Sequence, residues 1–168
     1  MSKIRVSRGA VTTRFPRDID PNTNEGRSKA FWQGAGECFS AAKKLDDEDA
    51  LRDTVGEYIL IFHALELGLK AYLAKRGFSD KQLWNESFGH NLVNLVHECR
   101  KVGMSLSIHD ADLHIEWLSK SHKSLRYVFT ETREQPMGRV LLPIVQEVLD
   151  ASKPTLKNDK TLPRTVDR

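Results

Sequence analysis

Along this chain apolar residues recur every three or four positions in several separate stretches, and nowhere do they alternate with period two for long enough to make a strand. Phe31, Ala35, Cys38, Ala42 and Leu45 share one face of a first helix that begins near Ser28. The acidic knot "DDEDA" then offers Asp47 or Asp49 as N-cap of a second helix. In that helix Val55, Tyr58 or Ile59, Phe62, Leu65, Leu69 and Leu73 form a stripe within Leu51 to Arg76. It closes with Lys75 and Arg76 in the last turn and Gly77 after it. Ser79 and Asp80 start a short helix through Trp84, and "NLVNLVH" from Asn91 starts a fourth that stops at Gly103. Asp110 or Asp112 opens a fifth, which carries Leu113, Trp117, Leu118 and Leu125 to about Phe129. "VLLPIVQEVLDAS" is the last, with Pro143 tolerable only near its first turn. The pattern predicts an all-α, up-and-down bundle of four main helices and one or two short ones over residues 28–151.

The flanks differ from this middle. Residues 1–27 are rich in Arg, Thr, Pro, Asn and Gly without sustained periodicity and read as a basic flexible arm, while 152–168 read as a polar, basic tail. Charge follows the same division. Residues 1–29 hold seven basic and three acidic groups, 152–168 five and two, and 30–151 fourteen and eighteen. The net charge of +3 therefore belongs to the ends, and the bundle itself is mildly acidic. Such ends can hold a polyanion through counterion release, although a solvated terminus is the simpler reading.

With 39% hydrophobic and 29% charged residues, 168 residues make one ordinary globular domain with a core. The longest apolar run, from Tyr58 to Leu65, is interrupted by His63 and is far too short to cross a bilayer, so no membrane partner is expected. The start "MSKIRVSRGAVTTRFPRD" is basic but lacks an apolar core segment, and Cys38 and Cys99 stand alone without metal-type spacing. Reduced core thiols and a cytoplasmic location are the expectation.

The polar residues inside the apolar stretches raise the chemical question. Glu66 and Lys70 stand at i and i+4 within "HALELGLKAYL", and His90 opens the next apolar run. This spacing lets the two charges pair on one helix face beside Leu65, Leu69 and Leu73, at the edge of the core. A carboxylate there needs further partners, and His90 or a backbone N–H at the start of the fourth helix can supply one. Such a cluster ties two helices in register. Alternatively, Glu66, Lys70 and His90 line a cleft as acid–base or phosphate-contacting groups. The sequence favours the structural tie, because ion-pair networks of structural origin produce the same pattern.

Several short elements together resemble the HEPN superfamily of small helical bundles, in particular an uncharacterised bacterial branch. They are "ALELGLKAYL" from Ala64 to Leu73, "RGF" from Arg76 to Phe78, "GHNL" from Gly89 to Leu92 and "LRY" from Leu125 to Tyr127. "FW" at Phe31–Trp32 and "AAKKL" from Ala41 to Leu45 fit the first helix of that pattern. The resemblance implies a homodimer, a nucleotide- or RNA-associated role, and a setting in bacterial defence or toxin–antitoxin pairs beside a nucleotidyltransferase-type or antitoxin partner. Many HEPN proteins are ribonucleases whose motif is an arginine, four to six residues, then a histidine on one helix. No arginine here is followed by that arrangement; the nearest, Arg100 to His109, crosses Gly103. The expectation is therefore a non-catalytic HEPN-like bundle that binds a nucleotide, RNA or a protein partner. The alternative is a metal-independent ribonuclease with a non-standard site, for which His90 and Arg126 are the catalytic candidates.

Arg126 and Tyr127 join the candidate binding cluster, since one can hold a phosphate and the other stack a base, though an arginine bonding helix carbonyls is the plainer role. His63 reads as a histidine at the core's edge and His97 as exposed. His109, His114 and His122 lie near Asp110, Asp112 and Glu116 but lack the spacing of di-metal bundles or zinc peptidases. No metal and no cofactor are expected. No Gly-rich phosphate loop is present, and no serine or cysteine has the local signature of a nucleophile. Phe31, Trp32, Phe39, Trp84, Trp117 and Phe129 are more large aromatics than one short bundle readily hides, which supports a homodimer independently.

Overall fold

The computed structural model describes residues 20, 22–48, 54–125, 136 and 138–154. They form six helices and no strand: α1 (Asn24–Glu48), α2 (Val55–Lys75), α3 (Asp80–Leu83), α4 (Leu92–Lys101), α5 (Ala111–Leu125) and α6 (Gly138–Ser152). The chain is an all-α bundle with four long helices, and α3 and α4 are the two short ones. No helix among the described residues is long and apolar enough to cross a membrane.

Three helix starts differ from the sequence pattern. α1 begins at Asn24, four residues before Ser28, because a turn over Asp20–Thr23 prepares it. There Thr23 Oγ1 donates to the Asp20 carbonyl at 2.9 Å and accepts from Gly26 N–H at 2.9 Å. α2 begins at Val55, and Thr54 is its cap, accepting from Glu57 N–H at 3.1 Å. Asp47 cannot serve because α1 runs through it, and Asp49 lies outside the described residues. α6 starts two residues before Val140, so Pro143 sits beyond the first turn, on an exposed face where water can take the carbonyl its missing N–H leaves.

The helix ends agree with the pattern. Gly77 and Gly103 have φ of +97° and +95°, the left-handed conformation that glycine adopts without a Cβ penalty. Behind them Phe78 N–H reaches back to the Leu73 carbonyl and Met104 N–H to that of Cys99. Both are the six-residue closure of a helix C-terminus. Asn91 caps α4 by accepting from Asn94 N–H at 3.0 Å.

α2 is the axis of the molecule. It packs on α1, α6, α4 and α5 and touches α3. An amphipathic helix needs one buried stripe; this one is buried from Ala64 to Ala74 with only Leu67 partly open. The stripe read from the sequence is correct in its inner members, but Val55, at its start, is 41% exposed. Close approach of α2 to α6 occurs at Gly68, and polar ties fix its neighbours. Ser28 Oγ donates to the Ala71 carbonyl at 2.9 Å, Trp32 Nε1 to that of Leu149 at 2.9 Å, and Tyr58 to that of Pro136 at 2.7 Å.

The segment between α4 and α5 is strapped to α6 by Glu147. Its carboxylate accepts from Ser107 N–H at 2.5 Å, Ser107 Oγ at 2.6 Å and Ile108 N–H at 3.4 Å. Partial desolvation pushes its pKa up, but the three hydrogen bonds outweigh this and hold the carboxyl below its ordinary value. A depressed carboxyl stabilises the fold above its unfolded pKa, and the contribution disappears as pH falls through the folded value. Wild type should therefore exceed Glu147→Gln in stability by under about 1 kcal/mol at pH 7, the site being open to water. The gap should close below pH ~4. Urea unfolding of both proteins between pH 7 and pH 3 measures it, and a gap that stays constant with pH would contradict the assignment.

Candidate functional site

Glu66 and Lys70 of "HALELGLKAYL" lie deeper than the core's edge. Lys70 is 0% exposed and Glu66 2% exposed, because α1, α3, α4, α5 and α6 all pack against α2. Lys70 Nζ donates to Glu66 Oε1 at 2.7 Å and to the Gly89 carbonyl at 2.8 Å. It also lies 3.8 Å from the centroid of the Trp84 ring, which roofs it. An ammonium has three donors, and each points at a partner. The ion pair, the turn after α3 and the start of α4 are thus joined at one buried nitrogen.

The second oxygen of Glu66 faces outward. Oε2 lies 3.0 Å from His90 Nδ1 and 3.9 Å from His63 Nδ1. A carboxylate only accepts, so in this contact Nδ1 of His90 is the donor. The His90 side chain is 54% exposed while its anchor is almost fully buried. A buried pair thus fixes the direction of an imidazole at the surface.

Rings complete the site. His122, on α5, stacks on Phe62 of α2 with centroids 3.9 Å apart and planes 17° apart. His90 lies over His122 at 5.4 Å and 27°. Phe62 is fully buried, His122 half-buried and His90 exposed, so the column of rings climbs from the core to the surface. His63 sets its edge against Phe62 at 5.8 Å. Trp84, 55% exposed, stands on the Lys70 side of the Glu66–Lys70 pair and tilts against Phe31 of α1.

Of the candidates read from sequence, Glu66, Lys70 and His90 come together, and Arg126 and Tyr127 lie outside the described residues. His63, assigned to the core's edge, is half-buried there, and His97 is exposed. His109 is turned to solvent and pairs with Asp110 at 2.7 Å, away from the cluster. The sequence reading missed Trp84, Phe62 and the Gly89 carbonyl as partners, and gave His122 no role. Gly89 directly precedes His90, a signal of sorts; the other three are contacts between elements that no spacing reveals. A cavity of about 230 Å3 between α4 and α5 is lined by Val96, His97 and Ile115. Arg100 and Asp112, also in its lining, close on each other at 2.6 Å. Among the described residues no group of three or more His, Cys, Asp or Glu side chains is arranged to hold a metal ion. Burial pushes the Cys99 thiol far up, as does Glu98, and burial raises Cys38 too, which keeps both protonated and poor nucleophiles. No protein-family model, curated protein or solved structure matches this chain, so the HEPN resemblance rests on the motifs in its sequence.

Proposed function

We propose that this chain is a non-catalytic, HEPN-like helical bundle that binds a nucleotide or single-stranded RNA at the surface formed by His90 and His122. The observation that carries this reading is the half-exposed His90 ring, held by buried Glu66 at the outer end of the Phe62–His122–His90 column. A flat base can add the next layer, since every nucleobase has a π-face and stacking tolerates sequence. The imidazole can also donate to a phosphate oxygen when protonated. Binding in a defence or toxin–antitoxin setting, with a nucleotidyltransferase-type or antitoxin partner, belongs to the same proposal and rests on the sequence motifs. Self-association into a homodimer belongs to it as well, supported by Trp84 at the surface and by Phe31, Trp32, Phe39 and Trp117, which the bundle covers only in part.

The test is a titration of the full chain with a short single-stranded oligoribonucleotide, read by anisotropy of a label on the RNA. His90→Ala and His122→Ala should each weaken binding about tenfold or more, the stacking contribution of one ring, with helicity unchanged. Absence of binding by the wild type, or binding indifferent to both variants, would remove the proposal.

A second reading has one specific observation behind it. Glu66 at Nδ1 leaves Nε2 of a neutral His90 free to accept a proton, the arrangement of a carboxylate-oriented general base. A metal-independent ribonuclease would use it to activate a ribose 2′-hydroxyl. Cleavage of the same RNA in EDTA, abolished in His90→Ala and in proportion to binding only in the wild type, selects this reading over simple binding.

A further inference from the structure

α1 packs on α2 and α6, and among the described residues no other helix packs extensively on its outer side. That side forms an open groove of about 670 Å3, lined among others by Trp32, Gly36, Glu37, Ser40, Ala41 and Lys44. A Cβ on Gly36 would meet nothing within 4 Å. Glu37 and Lys44 are both exposed, and neither makes an ion pair among the described residues. They stand two helical turns apart on the same face, roughly 10 Å along the axis, too far to pair with each other.

We propose that this groove is where two copies of the chain meet, α1 against α1 in antiparallel, with the two-fold axis between Ser40 and Ala41. Under such an axis each residue faces the one equally distant on the other side of it. Glu37 of one copy then meets Lys44 of the other, and the reverse, so both unpaired charges are satisfied twice by one symmetry operation. A parallel arrangement would set Glu37 against Glu37 and Lys44 against Lys44, and the charges reject it. Ser40 and Ala41 are small enough at the crossing for the axes to approach at the short end of the 8–10 Å range of packed helices. Trp32, which lines the groove, gives the contact an aromatic anchor of the kind that dominates interfaces. The face uses no residue of the His90 site, and the inference rests on the self-association proposed above.

Light scattering on the full chain over a wide concentration range tests it. Wild type should be dimeric at high concentration. Glu37→Lys and Lys44→Glu each turn two attractions into two repulsions, and each should weaken the dimer by about tenfold or more at low salt. The exchange variant Glu37→Lys/Lys44→Glu should recover the wild-type dimer. An equimolar mixture of the two single variants should form a mixed dimer tighter than either alone. Ser40→Trp, which fills the crossing point from an exposed position, should leave a folded monomer. A dimer that ignores all these changes would overturn this face while self-association stands. A wild-type monomer at every concentration would remove both.

Discussion

Lys70→Met is expected to lower the stability of the fold by about 3–5 kcal/mol, the cost of leaving a buried charge without its partner. Methionine keeps most of the volume and the chain length, so the loss isolates the charge. Three partners are orphaned at once. Glu66 Oε1 loses its 2.7 Å contact, the Gly89 carbonyl loses its donor at 2.8 Å, and Trp84 no longer covers a cation. Glu66 keeps only its outer oxygen's contacts, with His90 at 3.0 Å and His63 at 3.9 Å. Removing both charges should be far milder: Glu66→Leu combined with Lys70→Met is expected to recover most of the loss, since a hydrophobic replacement of a buried pair is often neutral. The two substitutions should therefore be strongly non-additive. Urea unfolding of both single variants and the double variant measures the coupling. A Lys70→Met protein within about 0.5 kcal/mol of wild type, the range of ordinary surface substitutions, would show that the pair does not hold α2 to the α3–α4 turn. The same series bears on the ligand site. His90 should bind less well in Glu66→Leu/Lys70→Met than in wild type even where stability returns, because nothing then fixes its ring.

Gly68→Val is the second substitution expected to act strongly, with a loss of about 1–3 kcal/mol from overpacking. A Cβ at position 68 would stand 2.8 Å from Val148 Cγ1 and 4.0 Å from Ala35 Cβ, at the place where α1, α2 and α6 converge. Val148 is β-branched and has one strongly preferred rotamer in a helix, so its methyl cannot swing aside cheaply. α2 and α6 must then separate, which opens gaps elsewhere in a close-packed core. Val148→Ala should rescue much of the loss in Gly68→Val, and that pairwise rescue is the sharper test. Gly56 is the control on the same helix. A Cβ there meets only Leu45 Cδ1 and Thr54 Oγ1, both at 3.8 Å, so Gly56→Ala should be neutral or stabilise by up to about 1 kcal/mol through helix propensity. If Gly68→Val and Gly56→Ala change the melting temperature alike, the close approach of α2 and α6 is not what glycine provides at position 68.

Much of the site was legible because its anchors are local. An i, i+4 spacing puts Glu66 and Lys70 on one helix face wherever the helix goes. A buried carboxylate needs partners, and the histidine that opens the following helix was a natural one. The C-terminal glycines and the start of α4 at Asn91 were legible for the same reason, since each is set by bonds within five or six residues. The cap of α2 was not legible, because it depended on how far α1 persisted: α1 runs through Asp47, and the residue that caps α2 is Thr54. His122 was not legible either. Its ring reaches Phe62 across sixty residues of chain only because α5 lies against α2.

What the sequence by itself determined about this protein is its helices, most of their ends and the pairing of Glu66 with Lys70, all consequences of hydrogen bonds and side-chain spacing over one or two turns. Only the tertiary structure decided depth. With α1, α4, α5 and α6 packed around α2, a pair that one-sided amphipathicity would leave at a rim lies in the interior, and Lys70 acquires Gly89 and Trp84 as partners. The same packing carries His122 to Phe62 and sets His90 over it, so the aromatic column exists in no single helix. Periodicity reports which side of a helix is apolar, whereas the number of neighbours around that helix decides whether its polar residues must be satisfied by protein instead of water.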